Sequence, residues 1–117
     1  MIIEKEIVKK PWGEYETHQC DEIDAVKLLS YNEGHRTSLQ MHTKRDELLR
    51  IVSGVMKIQI EDVDIICDSS VRGGWIFIPR NMKHRATALE FSKVLEVMIG
   101  EYDEDDIIRY EDDYNRC

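Results

Sequence analysis

Apolar and polar positions alternate with a period of two along most of the chain. Met56, Ile58 and Ile60 are interleaved with Lys57, Gln59 and Glu61, the pattern of a strand with one buried face. Ile76-Phe77-Ile78 runs into Pro79, where the strand must stop because proline has no N–H to give a ladder. The run Val94 to Ile99 is apolar except for Glu96, rich in β-branched residues, and ends at Gly100. Further strands are expected at 2–8, 25–31, 36–42, 47–53, 63–67 and 83–90, with Gly34, Gly54 and the Gly73-Gly74 pair at turn positions. No long window carries a helical stripe, and Glu104–Tyr110 has room for one acidic turn. Many short strands at even spacing predict an all-β sandwich or barrel, of which the two-sheet jelly roll is one solution.

Composition adds limits to this picture. A chain of 117 residues is the size of one domain, and a core at this size buries roughly two-thirds of the unfolded surface. No apolar run is long enough to span a bilayer. The opening MIIEKEIVKK lacks the apolar core of a secretory leader, so a cytoplasmic location is the default expectation. Cys20, Cys67 and Cys117 are odd in number and widely spaced, which favours free reduced thiols over a disulfide framework. The net charge is −8, yet residues 101–113 hold eight acids against Arg109 alone and so carry −7 of it. The rest of the chain is nearly neutral and can hold a local cationic pocket. Nucleic acid is not an expected partner, because no basic stripe is present to neutralise phosphates.

The candidate chemistry lies in four side chains. Gln40 and His42 are two apart on an expected strand and leave the same face. Glu47 follows across a short turn, where the next strand returns beside the first, and His84 would have to be brought in by the barrel. Each residue alone has an ordinary alternative as a surface group or a satisfied core polar. Together, two imidazoles, a carboxylate and an amide oxygen suit one divalent ion, Zn²⁺ foremost, with Mn²⁺, Co²⁺ or Ni²⁺ as alternatives. Four protein ligands leave coordination positions open to a substrate oxygen, and their net charge of about −1 preserves Lewis acidity.

The spacing carries a resemblance. Gly34-x5-Gln40-x-His42-x4-Glu47-x6-Gly54 resembles the first cupin motif, with Gln in the first His position. Gly73-x5-Pro79-x4-His84 resembles the second. Lys10-Pro11-Trp12-Gly13-x-Tyr15, Ser38-Leu39-Gln40-Met41-His42, Arg45-x-Glu47 and Val52-Ser53-Gly54 are similar to the type II phosphomannose isomerases. These form the C-terminal part of bifunctional mannose-1-phosphate guanylyltransferase/mannose-6-phosphate isomerases. Glu96-Val97 and the stretch from Gly100-x-Tyr102 to Asp105-Asp106-Ile107-Ile108-Arg109-Tyr110-Glu111-Asp112-x-Tyr114-x-Arg116 continue the likeness. The sequence departs from that family at Thr43-Lys44 (for His-His), Leu48-Leu49 (for His-Trp) and Asn115 (for Gly).

The resemblance implies a single cupin jelly-roll barrel over residues 1–117 and interconversion of mannose 6-phosphate with fructose 6-phosphate. That reaction needs a base to move a proton between C1 and C2, an electrophile for the enediolate oxygen, and a cation for the phosphate. Glu96 is the candidate base, since burial in its apolar run would raise its pKa; a structural partner for a buried arginine is the other reading. Arg116, Lys27, Arg45 and Arg85 are the candidate cations, with Arg85 set back because it alternates with His84, and Arg45 placed on the turn at the pocket rim. Ser38 belongs to the SLQ motif, and the acidic tail, otherwise a solvated cap on a barrel edge, would carry Tyr102 and Arg116 to the pocket. The expected partner is a phosphorylated sugar. An exposed strand at 2–8 invites edge pairing into a homodimer. Two other readings stay open: a cupin enzyme acting on another activated sugar, and a non-catalytic, metal-containing sugar-binding cupin.

Overall fold

In the computed structural model, residues 5–19, 23–70 and 74–116 are described. Eleven strands organise them: β1 (Lys5–Lys10), β2 (Gly13–Gln19), β3 (Ile23–Tyr31), β4 (Leu39–Met41), β5 (Arg45–Ser53), β6 (Met56–Ile60), β7 (Val63–Cys67), β8 (Ile76–Ile78), β9 (His84–Ala88), β10 (Ser92–Glu101) and β11 (Ile108–Glu111). They form two antiparallel sheets, in the orders β1-β2-β3-β10-β5-β8 and β11-β4-β9-β6-β7. This is the expected all-β cupin jelly roll. No helix among the described residues is long and apolar enough to cross a membrane.

The alternation read from the sequence becomes an inward face. Along β5, Arg45, Glu47, Leu49 and Ile51 are buried while the residues between them are more exposed. Cross-strand register lines up Leu29, Val94 and Ile51 in one inward row, Lys27, Glu96 and Leu49 in the next, and Ala25, Met98 and Glu47 in a third. One end of the barrel interior is therefore apolar, built on Trp12, Leu29, Tyr31, Ile51, Met56 and Ile58. The other end collects charge.

Several expectations need correction. β2 was not anticipated, because Tyr15 is its only large apolar residue. It is held as a strand by ladders to both β1 and β3, and that pairing overrides weak local propensity. β11 was likewise missed; it pairs with β4 at the sheet edge, after a turn closed by the Asp106 amide on the Asp103 carbonyl. The strand expected at 36–42 contracts to Leu39–Met41 plus an isolated bridge from Arg36 to Thr87. Here the Thr37 hydroxyl takes the Ala86 amide in place of a ladder bond. Arg45 is not on a turn at the rim but opens β5 and is 5% exposed. Of the strand expected at 2–8, residues 2–4 lie outside the described residues. So do Gly73, Cys20 and Cys117; Cys67 is a free, buried thiol that burial pushes up to about 11.

Gly13 explains the Pro-Trp-Gly stretch that enters β2. Its φ of +154° is poorly tolerated by other residues, and a Cβ there would collide with the Ser30 carbonyl oxygen of β3. The close approach lets Trp12 turn inward to stack on Tyr31 at 4.5 Å between ring centroids. Gly13→Ala is expected to cost about 2–4 kcal/mol, seen as a lower urea midpoint at unchanged denaturant slope.

Candidate metal centre

His42, Glu47 and His84 converge at the charged end of the barrel, with ligand atoms all within 4.8 Å of one another. The backbone does this directly. Gln40 and His84 are register partners across β4 and β9, and Glu47 faces inward from β5 on the opposite sheet. The Nδ1–H of His42 donates to the Asp106 carbonyl at 2.6 Å, and that of His84 to the Met82 carbonyl at 3.0 Å. Carbonyls only accept, so both rings carry hydrogen on Nδ1 and turn Nε2 to the centre, the orientation typical of metal-ligating histidines. His84 Nε2 is buried without a hydrogen-bond partner, and His42 Nε2 lies 2.9 Å from Glu47 Oε1. A buried, unpartnered imidazole nitrogen beside a carboxylate is a donor set that a divalent cation satisfies.

Gln40 stands beside the group. Its amide is 3.4 Å from His42 Nε2, and its Oε1 accepts from the Ser38 hydroxyl at 2.8 Å. Turning the amide over presents Oε1 to the centre and leaves Nε2 donating to Ser38 Oγ, which accepts as readily as it donates. Ser38, fully buried, thus holds the Gln40 amide in place. Asp106 acts similarly from the tail: its carboxylate takes the Thr43 and Lys44 amides and the Thr43 hydroxyl, while its carbonyl orients His42. The acidic tail is therefore more than the solvated cap expected of it. Asp106, Glu104, Asp112 and Asp113 each hold fixed partners in the body or in the tail itself.

The centre opens into a cavity of about 390 Å³. Lys27, Arg45, Glu96 and Arg116 line it as the sequence suggested, and Trp12, Tyr15 and Tyr31 supply an aromatic wall. Arg45 Nε donates to Glu47 at 3.2 Å and its Nη2 lies 3.3 Å from His42 Nε2. Lys27, 6% exposed, pairs with Glu104 at 3.1 Å beneath the Tyr15 ring. Burial, reinforced by the Glu47 charge and opposed by Lys27, Arg45 and His42, pushes Glu96 up to about 7. Glu47 moves the other way, held well below the usual range by His42, His84 and Arg45 against its own burial. Tyr102 packs its ring near Lys27 and Arg45, lining an adjoining hollow. Arg85 does not line the cavity; it is buried behind the sheet, donating to the carbonyls of Thr37 and Glu111.

Sequence reasoning passed over Lys10, Arg109 and Glu104 as wall residues, although Lys10 and Arg109 stand inside motifs it had singled out. Two departures from the family pattern lie off the cavity wall. Leu49 belongs to the core and neither it nor Leu48 lines the cavity. Asn115 takes a φ of +59°, a conformation asparagine tolerates better than most residues.

The profile of the family described as mannose-6-phosphate isomerase, C-terminal, matches residues 2–112. The chain belongs to this family. It is 35% identical over 116 residues to a mannose-1-phosphate guanylyltransferase of Salmonella montevideo and 34% identical over 115 residues to the alginate biosynthesis protein AlgA of Pseudomonas aeruginosa. Each alignment covers 93% of this chain and 23% of the relative, so the chain spans about a quarter of the length of these proteins. In structure it is similar to KdgF from a Halomonas species (TM-score 0.74, 16% identity, 85% of this chain and 91% of that one). It is also similar to Streptomyces PAC13 with uridine (TM-score 0.76, 17% identity, 92% and 85%). At these identities the two likenesses speak for the fold.

The family member described here should bind one divalent ion per chain, with a rise in thermal midpoint. His84→Ala is expected to abolish binding, and Asp106→Ala, which keeps the carbonyl that His42 donates to but removes the carboxylate anchored on the Thr43 and Lys44 amides, to weaken it about tenfold by loosening that carbonyl, both read by metal titration. In the metal-free protein Glu96 should titrate near 7. Its folded value exceeds its unfolded one, so the stability it contributes is present below about 4.5 and lost as pH rises through about 7. Unfolding free energies of wild type and Glu96→Gln across that range should diverge accordingly.

Proposed function

We propose that the protein is a metal-dependent sugar-phosphate isomerase interconverting mannose 6-phosphate and fructose 6-phosphate. The observation that carries this reading is Glu96: a buried carboxyl that exchanges its proton near neutrality shares one cavity with a metal-capable His–Glu–His set. An aldose–ketose interconversion asks for that combination, and the family description agrees with it.

The ion would be held by His42, Glu47 and His84 with the Gln40 amide, and when bound supplies Lewis-acid stabilisation of the enediolate oxygen. The other work falls to the chain. Glu96 takes the proton from C2 of the open-chain aldose and returns it to C1. The O2 hydroxyl proton passes to O1 in the same exchange, so the product is an isomer with no atom gained or lost. Lys27, directly across the ladder from Glu96, stabilises the carboxylate after the proton is returned. Trp12, Tyr15 and Tyr31 keep water from the bound sugar. The N-terminal edge strand β1, with Ile7 half exposed, is the edge we assign to self-pairing in a homodimer.

Purified protein supplied in turn with Zn²⁺, Mn²⁺, Co²⁺ and Ni²⁺ should convert mannose 6-phosphate to fructose 6-phosphate. Glu96→Gln should lower kcat by about 10²-fold or more, and His42→Ala should do the same together with loss of the ion. Absence of conversion with all four metals defeats the reading.

A further inference from the structure

The cavity has more cations on its wall than its own carboxylates employ. Arg45 is committed to Glu47 and His42, and Lys27 to Glu104. Arg85 lies outside the cavity, bound to Thr37 and Glu111. Arg109 is different. It stands on β11 in register with Gln40 and lines the same cavity. Its Nε is buried with no hydrogen-bond partner, and the guanidinium has no ion pair among the described residues. A buried guanidinium donor left open is costly, so its place on a cavity wall calls for an acceptor from outside.

Lys10 faces the same space from the end of β1, and it has no carboxylate within ion-pair distance among the described residues. Burial and the repulsion of Arg116, Arg109 and Lys27 hold its pKa below the ordinary lysine value, with only Glu104 acting against them. Arg116 completes the group. Asp112 grips its Nε at 2.7 Å and Nη2 at 3.1 Å, which fixes the guanidinium plane at the wall. Asp112 offsets the charge of Arg116, whereas no carboxylate pairs with Arg109 or Lys10 among the described residues. Glu104 is taken by Lys27 and Tyr15, and Asp105 stands exposed at the rim.

We infer that Arg109, Lys10 and Arg116 form an oxyanion subsite that takes the phosphate of a phosphate monoester, one strand away from the metal ligands. A dianionic, tetrahedral group gives Arg109 the acceptor it lacks and relieves the mutual repulsion of the three cations. The placement is selective: the phosphate is held on the tail side while the carbon end of the ligand reaches the centre at Gln40, His42 and Glu47. That the monoester is a hexose phosphate rests on the isomerase reading, whereas the oxyanion subsite stands without it.

Calorimetric titration of the metal-loaded protein with inorganic phosphate, mannose 6-phosphate and unphosphorylated mannose tests the subsite. Arg109→Gln and Lys10→Gln are each expected to weaken phosphate and mannose 6-phosphate about tenfold or more, leaving metal stoichiometry and mannose affinity unchanged, with Arg109→Lys recovering part of the loss. Phosphate affinity equal to wild type in both Gln variants overturns the subsite, since the anion would then be held elsewhere. Loss of phosphate affinity only in step with a loss of metal or of the folded state in both variants overturns it too. Phosphate binding that depends on Arg109 in a protein that isomerises no hexose phosphate upholds the subsite and defeats the isomerase reading instead.

Discussion

Desolvated charge is the constraint on which this barrel's interior depends. Lys27, His42, Arg45, Glu47, His84 and Glu96 all face inward and are each less than a tenth exposed. An ion taken out of water costs several kcal/mol unless an opposite charge and hydrogen bonds replace the solvent. The fold meets this by interleaving signs on neighbouring strands: Arg45 with Glu47 two residues along β5, His42 with Glu47 between sheets, Lys27 with Glu104 of the tail. Glu96 has no ion-pair partner within reach among the described residues, and it answers by holding its proton more tightly. Of the two buried carboxyls, the one that the electrostatic arrangement leaves over is thus the one pushed above its ordinary range.

The tail extends the same logic. It closes the small sheet through β11, yet its larger contribution is to supply atoms that others need. The Asp106 carbonyl orients His42, the Glu104 carboxylate balances Lys27, and Arg109 reaches the cavity wall from the edge strand β11. A segment that looks like a solubilising acidic run is in fact distributed among specific partners, so that at short range its carboxylates act one by one.

Much of the site was legible because strand geometry is so regular. A two-residue spacing puts Gln40 and His42 on one face and separates His84 from Arg85, and both assignments hold. The alternation around Met56–Ile60 and Val94–Ile99 placed the inward faces for the same reason. The failures share a cause as well. β2 and β11 carry little apolar periodicity, and their strand character comes from neighbours that no local pattern announces. Its position two residues before Glu47 puts Arg45 on the turn, whereas cross-sheet partners draw it inside. Lys10 and Arg109 were visible as letters in recurring motifs, but only the closing of the tail over the mouth gives them a common wall.

The uneven distribution of charge has a kinetic side. With a net charge of −8, most of it on a tail that borders the mouth, the molecule repels an approaching anion at long range while the cations inside attract it at short range. Salt screens the first effect over about 10 Å and reaches a sheltered cavity far less. Moderate ionic strength therefore speeds entry of an anionic ligand before it loosens the hold, so capture and retention respond to salt in opposite directions.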